Sequence, residues 1–137
     1  MGSNQAVVEK FRAAMESGGM GDLAGLMNES ATDDFVQEWP QSGERIVGLE
    51  SVKKLGESYG KATGTSPKMS FRRMLGGGDV YVVEGAIDYG DDTPVSYVGI
   101  VEFRDGKIAK MTEYFANPFE APAWRAGMVE RMEPVGV

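Results

Sequence analysis

Few residue types in this chain could do chemistry. Its 137 residues include no histidine and no cysteine. Without imidazole there is no Ser-His-Asp or Cys-His nucleophile, and without either side chain no Cys/His zinc site and no disulfide framework. Acid–base work must fall to carboxylates, tyrosines or lysines, whose reference pKa values lie away from 7. One carboxylate stands out. Glu113 lies in Met111-Thr112-Glu113-Tyr114-Phe115, with an apolar residue two positions to either side. On a strand those three side chains point to one face. A carboxylate desolvated by such neighbours holds a proton more tightly than one in water, which suits a general base near neutral pH.

The hairpin around Arg104-Asp105-Gly106 decides what faces Glu113. A three-residue loop with Gly106 in the left-handed region pairs Phe103 with Lys107. Tyr97 then faces Glu113, Gly99 faces Met111 and Val101 faces Ala109. Tyr97, Gly99, Val101, Met111, Glu113 and Phe115 share one face. Val98, Ile100, Glu102, Ile108, Lys110, Thr112 and Tyr114 take the other, and a two-residue turn would exchange the two sets. Tyr97 could donate to an oxyanion or to Glu113 itself. Glu113 and Tyr97 could equally satisfy each other, or Arg12 or Arg125 could pair with Glu113. In the preceding hairpin, the Gly90–Thr93 turn pairs Glu84 with Gly99, on the same face. Two inward carboxylates would form a site whose proton affinities are pushed apart.

The elements that hold these residues follow from periodicity. Val7, Phe11, Ala14 and Met15 mark a helix that Ser3 or Asn4 can cap and Gly18-Gly19 ends. Asp22 to Met27 is a short second helix. Phe35 to Trp39 is a strand stopped by Pro40, and Gln41–Arg45 is a turn. Leu49–Tyr59 is a third helix with Leu49, Val52, Leu55 and Tyr59 on one face. Lys68–Leu75, Val80–Tyr89, Val95–Arg104 and Lys107–Phe115 are strands separated by glycine-rich turns. A helical tail follows around Ala123–Met132. This is one α+β domain over residues 1–137, with helices on one face of a sheet. Arg72 and Arg73 should face opposite ways on their strand, so a joint clamp on an acid is not expected. Asp33-Asp34 and Asp91-Asp92 read as solvated turns, with no metal-ligand spacing.

Composition narrows the partners. The net charge is −7, with 26% charged and 42% hydrophobic residues. That balance argues against nucleic-acid binding, which needs clustered cations. No apolar run approaches a membrane span, and the lack of cysteine fits a reducing, cytoplasmic setting.

Several strings, in their order and spacing, resemble the nuclear transport factor 2-like superfamily in its SnoaL-like and ketosteroid-isomerase-like branch. They are Val8-Glu9-Lys10-Phe11-Arg12-Ala13-Ala14, Gly21-Asp22-Leu23, Glu38-Trp39-Pro40, Ile46-Val47-Gly48-Leu49-Glu50, Phe103-Arg104-Asp105-Gly106-Lys107-Ile108 and Glu113-Tyr114-Phe115-Ala116-Asn117-Pro118. The similarity covers roughly residues 5–130. The resemblance implies a cone-shaped roll: a curved, mixed, mostly antiparallel sheet and three N-terminal helices enclosing an apolar pocket. It also implies a homodimer paired through the outer sheet face, where Val98, Ile100, Ile108 and Tyr114 would form an apolar patch that wants covering. Members include isomerases, polyketide cyclases, dehydratases, epoxide hydrolases and pure binding modules, so the fold alone does not choose.

Ketosteroid isomerases carry a tyrosine in the first helix, a base aspartate before the strand proline and a protonated aspartate on the penultimate strand. Phe11, Trp39 and Gly99 stand at the matching positions here, so that mechanism is not expected. Asn117 lies near where some relatives carry an acid. The resemblance makes Phe11, Met15, Trp39, Tyr59, Gly99, Val101, Met111, Phe115 and Asn117 the expected ligand-binding set, with methionines giving an adaptable lining. The expected activity is proton transfer without cofactor or metal on a small hydrophobic, cyclic or polyketide-like molecule, with Glu113, Tyr97 and Glu84 as catalytic candidates. The alternative is a non-catalytic ligand-binding or dimeric scaffold module.

Overall fold

A computed structural model describes residues 2–18, 20–64, 67–91 and 93–133; Gly19, Asp92 and the side chain of Ser3 lie outside them. Helix α1 (Gly2–Ser17) buries Val8, Phe11, Ala14 and Met15 along one stripe. It begins before Asn4, so Asn4 is not its cap. The buried Asn4 amide instead donates to the Gly78 carbonyl and the Asp79 carboxylate, each at 3.0 Å, and ties α1 to that turn. Helix α2 (Met20–Ser30) runs directly into strand β1 (Ala31–Trp39). After Pro40 the chain turns and returns as β2 (Glu44–Val47), whose first two residues belong to the expected Gln41–Arg45 turn. Helix α3 (Leu49–Thr63) runs one turn past Tyr59, until Gly64 adopts the left-handed conformation and bonds back to Gly60.

Four long strands follow: β3 (Lys68–Gly77), β4 (Val80–Asp88), β5 (Val95–Arg104) and β6 (Lys107–Ala116). The six strands form one open mixed sheet in the order β2-β1-β6-β5-β4-β3, with β1 and β6 parallel and every other pair antiparallel. The helices lie on its inner face, α1 against β3 and α3 against β1 and β2. Phe35, Met15, Ile108 and Val83 are wholly enclosed between the layers. No helix of the described residues is long and apolar enough to cross a membrane. Where a helical tail was expected over 123–132, only Ala123–Arg125 forms a single 3-10 turn. Gly127, inside the expected span, disfavours anything longer.

Two hairpins set the register that matters. Asp105 and Gly106 both have positive φ, 52° and 81°, and form a two-residue turn that pairs Arg104 with Lys107. That turn alone would exchange the faces of β6. A bulge between Glu102 and Phe103 leaves Ala109 without a partner and restores the alternation. Glu113 therefore faces inward as expected, but opposite Gly99 rather than Tyr97, and Tyr97 faces Phe115. On the turn side of the bulge the alternation stays reversed. Ile108, expected on the outer face, is wholly buried in the core.

Glu84 is also displaced from its expected place. It pairs with Val98, and Val83 takes the position across from Gly99. The register differs by one residue from the expected one, and nothing compensates. Val83 is therefore buried and Glu84 lies on the outer face, bonded to Arg73 at 2.5 Å and Arg72 at 3.6 Å. Both arginines reach it because a bulge between Phe71 and Arg73 leaves Arg72 unpaired in the ladder. The opposite-facing arrangement expected of them does not hold there.

Candidate functional site

Three strands converge on Glu113. β6 supplies Glu113, β5 supplies Tyr97, and β1 supplies Gln37 and Trp39 on the face that also carries Phe35. The parallel pairing of β1 with β6 places Gln37 beside Met111 and so brings its amide to Glu113. The glutamate is 8% exposed. Its Oε2 accepts from the Tyr97 hydroxyl, and its Oε1 accepts from the Gln37 amide and from the Trp39 indole N–H, the last at 2.9 Å. All three donors are neutral. Among the described residues no Lys or Arg forms an ion pair with Glu113. Arg12 pairs with Glu16 and lies over the Phe71 ring, and Arg125 lies over the Trp124 ring. A carboxylate offers about four lone-pair sites, so one on Oε2 stays open.

Gly99 makes this geometry possible. Tyr97 sits two residues away on the same face and points along the strand toward Glu113. A Cβ on Gly99 would stand 2.6 Å from the Tyr97 hydroxyl oxygen. The position that lacks the isomerases' acid is thus the space through which a tyrosine hydroxyl reaches the carboxylate. Tyr97 is 2% exposed. Burial first, then the charge of Glu113 and the bond to it, push its phenol well above the ordinary tyrosine range. Tyr97 therefore remains a proton donor. Tyr89, just beyond β4, is raised as well, by burial first and then by Tyr59 and Glu113.

Aromatic rings surround the group. Phe115 stands edge-on to Trp39, with ring centres 6.4 Å apart, and tilted against Tyr97 at 5.5 Å. Trp39, Phe115 and Tyr89 are partly buried, and Tyr59 and Asn117 are exposed. Of the other expected ligand contacts, Phe11, Met15, Val101 and Met111 lie in the closed core. The cavity beside Phe11 and Val101 is about 10 Å³, space for one water at most. The structure thus brings Glu113, Tyr97, Trp39, Gly99 and Phe115 together and leaves Glu84 on the far side of the sheet. Gln37 and Tyr89 were missed in the sequence. Period two from Phe35 through Gln37 to Trp39, and from Val83 through Ile87 to Tyr89, could have found both. Among the described residues no group of three or more carboxylates is placed to hold a metal ion.

A family model described as the SnoaL-like domain matches residues 8–111, from α1 into β6. The chain belongs to the SnoaL-like family, within the NTF2-like superfamily. The match stops two residues short of Glu113, so the family does not itself speak for that glutamate. This SnoaL-like domain is 30% identical to an NTF-2 like protein of unknown function from Burkholderia xenovorans LB400, covering 96% of this chain and 97% of that one with a TM-score of 0.75. A protein from Kribbella flavida DSM 17836, provisionally described as a ketosteroid isomerase, is 22% identical over 97% and 92% of the chains at a TM-score of 0.78. A provisionally described SnoaL-like polyketide cyclase from Jannaschia sp. CCS1 is 16% identical over 83% and 85%, at 0.65. The last two likenesses show the fold alone. No curated protein matches the chain.

Proposed function

We propose that this SnoaL-like domain is a cofactor-independent acid–base enzyme, an isomerase, cyclase or dehydratase acting on a small hydrophobic, cyclic or polyketide-like molecule. One observation carries the reading: a buried carboxylate on the inner sheet face whose hydrogen bonds all come from uncharged groups. A structural glutamate at such depth is ordinarily neutralised by a cation. Here the charge is held by dipoles alone, which suits a base that must take a proton and give it back.

The chemistry follows from the two oxygens. Oε1 is occupied by Gln37 and Trp39, so Oε2 is the basic atom. A carbon acid adjacent to a carbonyl gives its proton to Oε2. The C–H bond breaks, its electron pair moves into the enolate, and an O–H bond forms on Glu113. The carboxyl group no longer needs the Tyr97 proton, and the phenol can turn it toward the enolate oxygen. Returning the proton from Glu113 to another carbon completes an isomerisation; attack of the enolate on a second carbonyl of the same ligand closes a ring, and the alkoxide left by that carbonyl takes the proton back from Glu113, which frees the carboxylate. Entry requires the half-buried rings of Trp39 and Phe115 to part. The polyketide cyclase and ketosteroid isomerase descriptions of structural neighbours support this class of ligand. The cysteine-free composition supports a cytoplasmic setting.

The test is deuterium uptake. Cyclic enones, cyclic diketones and hydroxynaphthoquinones are incubated with the protein in D₂O and followed by proton NMR. Exchange next to the carbonyl should be accelerated by the wild type, lost in Glu113→Gln and slowed at least tenfold in Tyr97→Phe. Acceleration that survives Glu113→Gln would remove the base from the reading. One further observation favours a second reading: the core cavity is small and three of the roughly four acceptor sites of Glu113 are taken by donors of the same chain. On that reading the domain is a non-catalytic binding or scaffold module. It predicts ligand-induced thermal shifts without any exchange.

A further inference from the structure

The sheet treats its glutamates unequally. Glu38, on the outer side of β1, takes Arg45 at 2.7 Å and Lys110 at 3.0 Å. Glu84, on the outer side of β4, takes Arg73 and Arg72. Both of these side chains keep contact with solvent. Glu113 is buried, and among the described residues it forms no ion pair. Charges taken out of water are ordinarily paired; here the cations go to the carboxylates that need them least. What surrounds Glu113 instead is rings. Phe115 stands at 75° to Trp39 and at 54° to Tyr97, so neither contact is a face-to-face stack. Arg12 and Arg125 lie over Phe71 and Trp124, away from this group. We propose that the missing counter-charge arrives with the ligand: the Glu113 site takes a compact hydrophobic ammonium, a cyclic tertiary amine in its protonated form, held against the ring faces of Trp39 and Phe115.

The inference deepens the reading of Glu113 as the working carboxylate, on which it rests, by naming the charge of the ligand. Glu113 is already desolvated in the folded chain, so a cation that reaches it meets an attraction little screened by water. Ring faces add to that attraction, because their negative quadrupole favours a cation and does so most where water is excluded. The net charge of −7 draws cations toward the domain from a distance. A ligand bearing a carboxylate or phosphate would instead bring a second negative charge beside a buried one. A metal ion fits the surroundings poorly. It needs several oxygen ligands, whereas Gln37 and Trp39 present N–H groups to Oε1, and among the described residues no group of three or more carboxylates is placed to hold a metal. The ammonium does not have to occupy the open lone pair on Oε2. Attraction to the rings and the carboxylate acts over several ångströms, and the lone pair stays free for the carbon acid. Once the proton has moved, Glu113 is neutral and the ammonium stands beside the enolate charge.

The experiment is isothermal titration calorimetry of the full chain with three cyclic ketones of one shape. They are tropinone, whose bridging amine is protonated at neutral pH; its all-carbon analogue; and that analogue with a carboxylate on the bridging carbon. The wild type should bind the ammonium ketone at least about tenfold tighter than the neutral one, and the anion more weakly than either. Glu113→Gln keeps the shape and removes the charge, and should bring the first two affinities to within about twofold of each other. If that variant does not fold, Phe115→Leu removes a ring and should lower the ratio of the two affinities at least about threefold. An ammonium ketone that does not bind or binds no tighter than the neutral one, an anion that binds as tightly as the ammonium, a preference that survives Glu113→Gln, or a ratio unchanged in Phe115→Leu would each overturn the proposal. Deuterium exchange in the same samples separates its failure from that of the base. Ammonium binding without exchange keeps the cation site and removes the base; exchange with no preference for the ammonium keeps the base and removes the cation site.

Discussion

Glu113 accepts bonds from Tyr97, Gln37 and Trp39, and each donor can be removed alone. Tyr97→Phe leaves Oε2 of a buried carboxylate without a partner, a loss of about 1–3 kcal/mol to be read by urea unfolding. Gly99→Ala reaches the same bond from the backbone side. Its methyl would sit 2.6 Å from the Tyr97 hydroxyl oxygen, so the ring must shift and the bond break. Overpacking of this kind costs about 1–3 kcal/mol, and the same denaturation measurement reads it. Alkaline titration tests the phenol. Tyr97 keeps its proton in the folded chain above the pH at which an unfolded tyrosine loses it. Its contribution to stability is therefore complete below about pH 10 and lost as pH rises further toward the folded value. Tyr97→Phe should flatten the fall in stability above that pH, leaving only the smaller part due to Tyr89. An unchanged slope would show that the phenol titrates normally.

Strand parity, which governs which face each of these residues takes, was partly legible in the sequence. Asp105-Gly106 announces a hairpin, and alternating apolar positions place Glu113 inward. Neither signal reveals the bulge at Ala109, because a bulge is decided by how the strand packs against β5 and the core. The expected three-residue turn was too long by one and the bulge adds one to the strand, so the inward face of Glu113 survives while its partner changes. Between β4 and β5 the expected register was also off by one. There a slip carries Glu84 through the sheet to Arg72 and Arg73. The helices were legible because their apolar residues repeat every three to four positions, as in Phe11, Ala14 and Met15; β2 was not, because Glu44–Val47 is exposed except at Ile46 and shows no buried alternation. Deleting Ala109 tests the bulge. Without the extra residue, either Ile108 turns out of the core or Glu113 does. Loss of the wholly buried Ile108 alone corresponds to about 2–5 kcal/mol, so the variant should melt well below wild type. A variant as stable as wild type would mean that the ladder re-registers freely.

The whole molecule separates its two kinds of surface by the sheet. The inner face and the helices close over Glu113; the outer face and the tail remain apolar and uncovered. If the outer face pairs between copies, folding and association are linked, and the melting temperature should rise with protein concentration. Differential scanning calorimetry over a hundredfold concentration range reads this. A concentration-independent melt in the wild type would contradict the linkage.

The catalytic reading of this SnoaL-like domain depends on the bond that Tyr97 makes to Glu113 across Gly99. A double-mutant cycle with Tyr97→Phe and Glu113→Gln, followed by urea unfolding, measures it directly. A hydrogen bond to a buried charge predicts a coupling of about 1.5–3 kcal/mol. A coupling below about 0.5 kcal/mol, the range in which independent sites simply add, would contradict it.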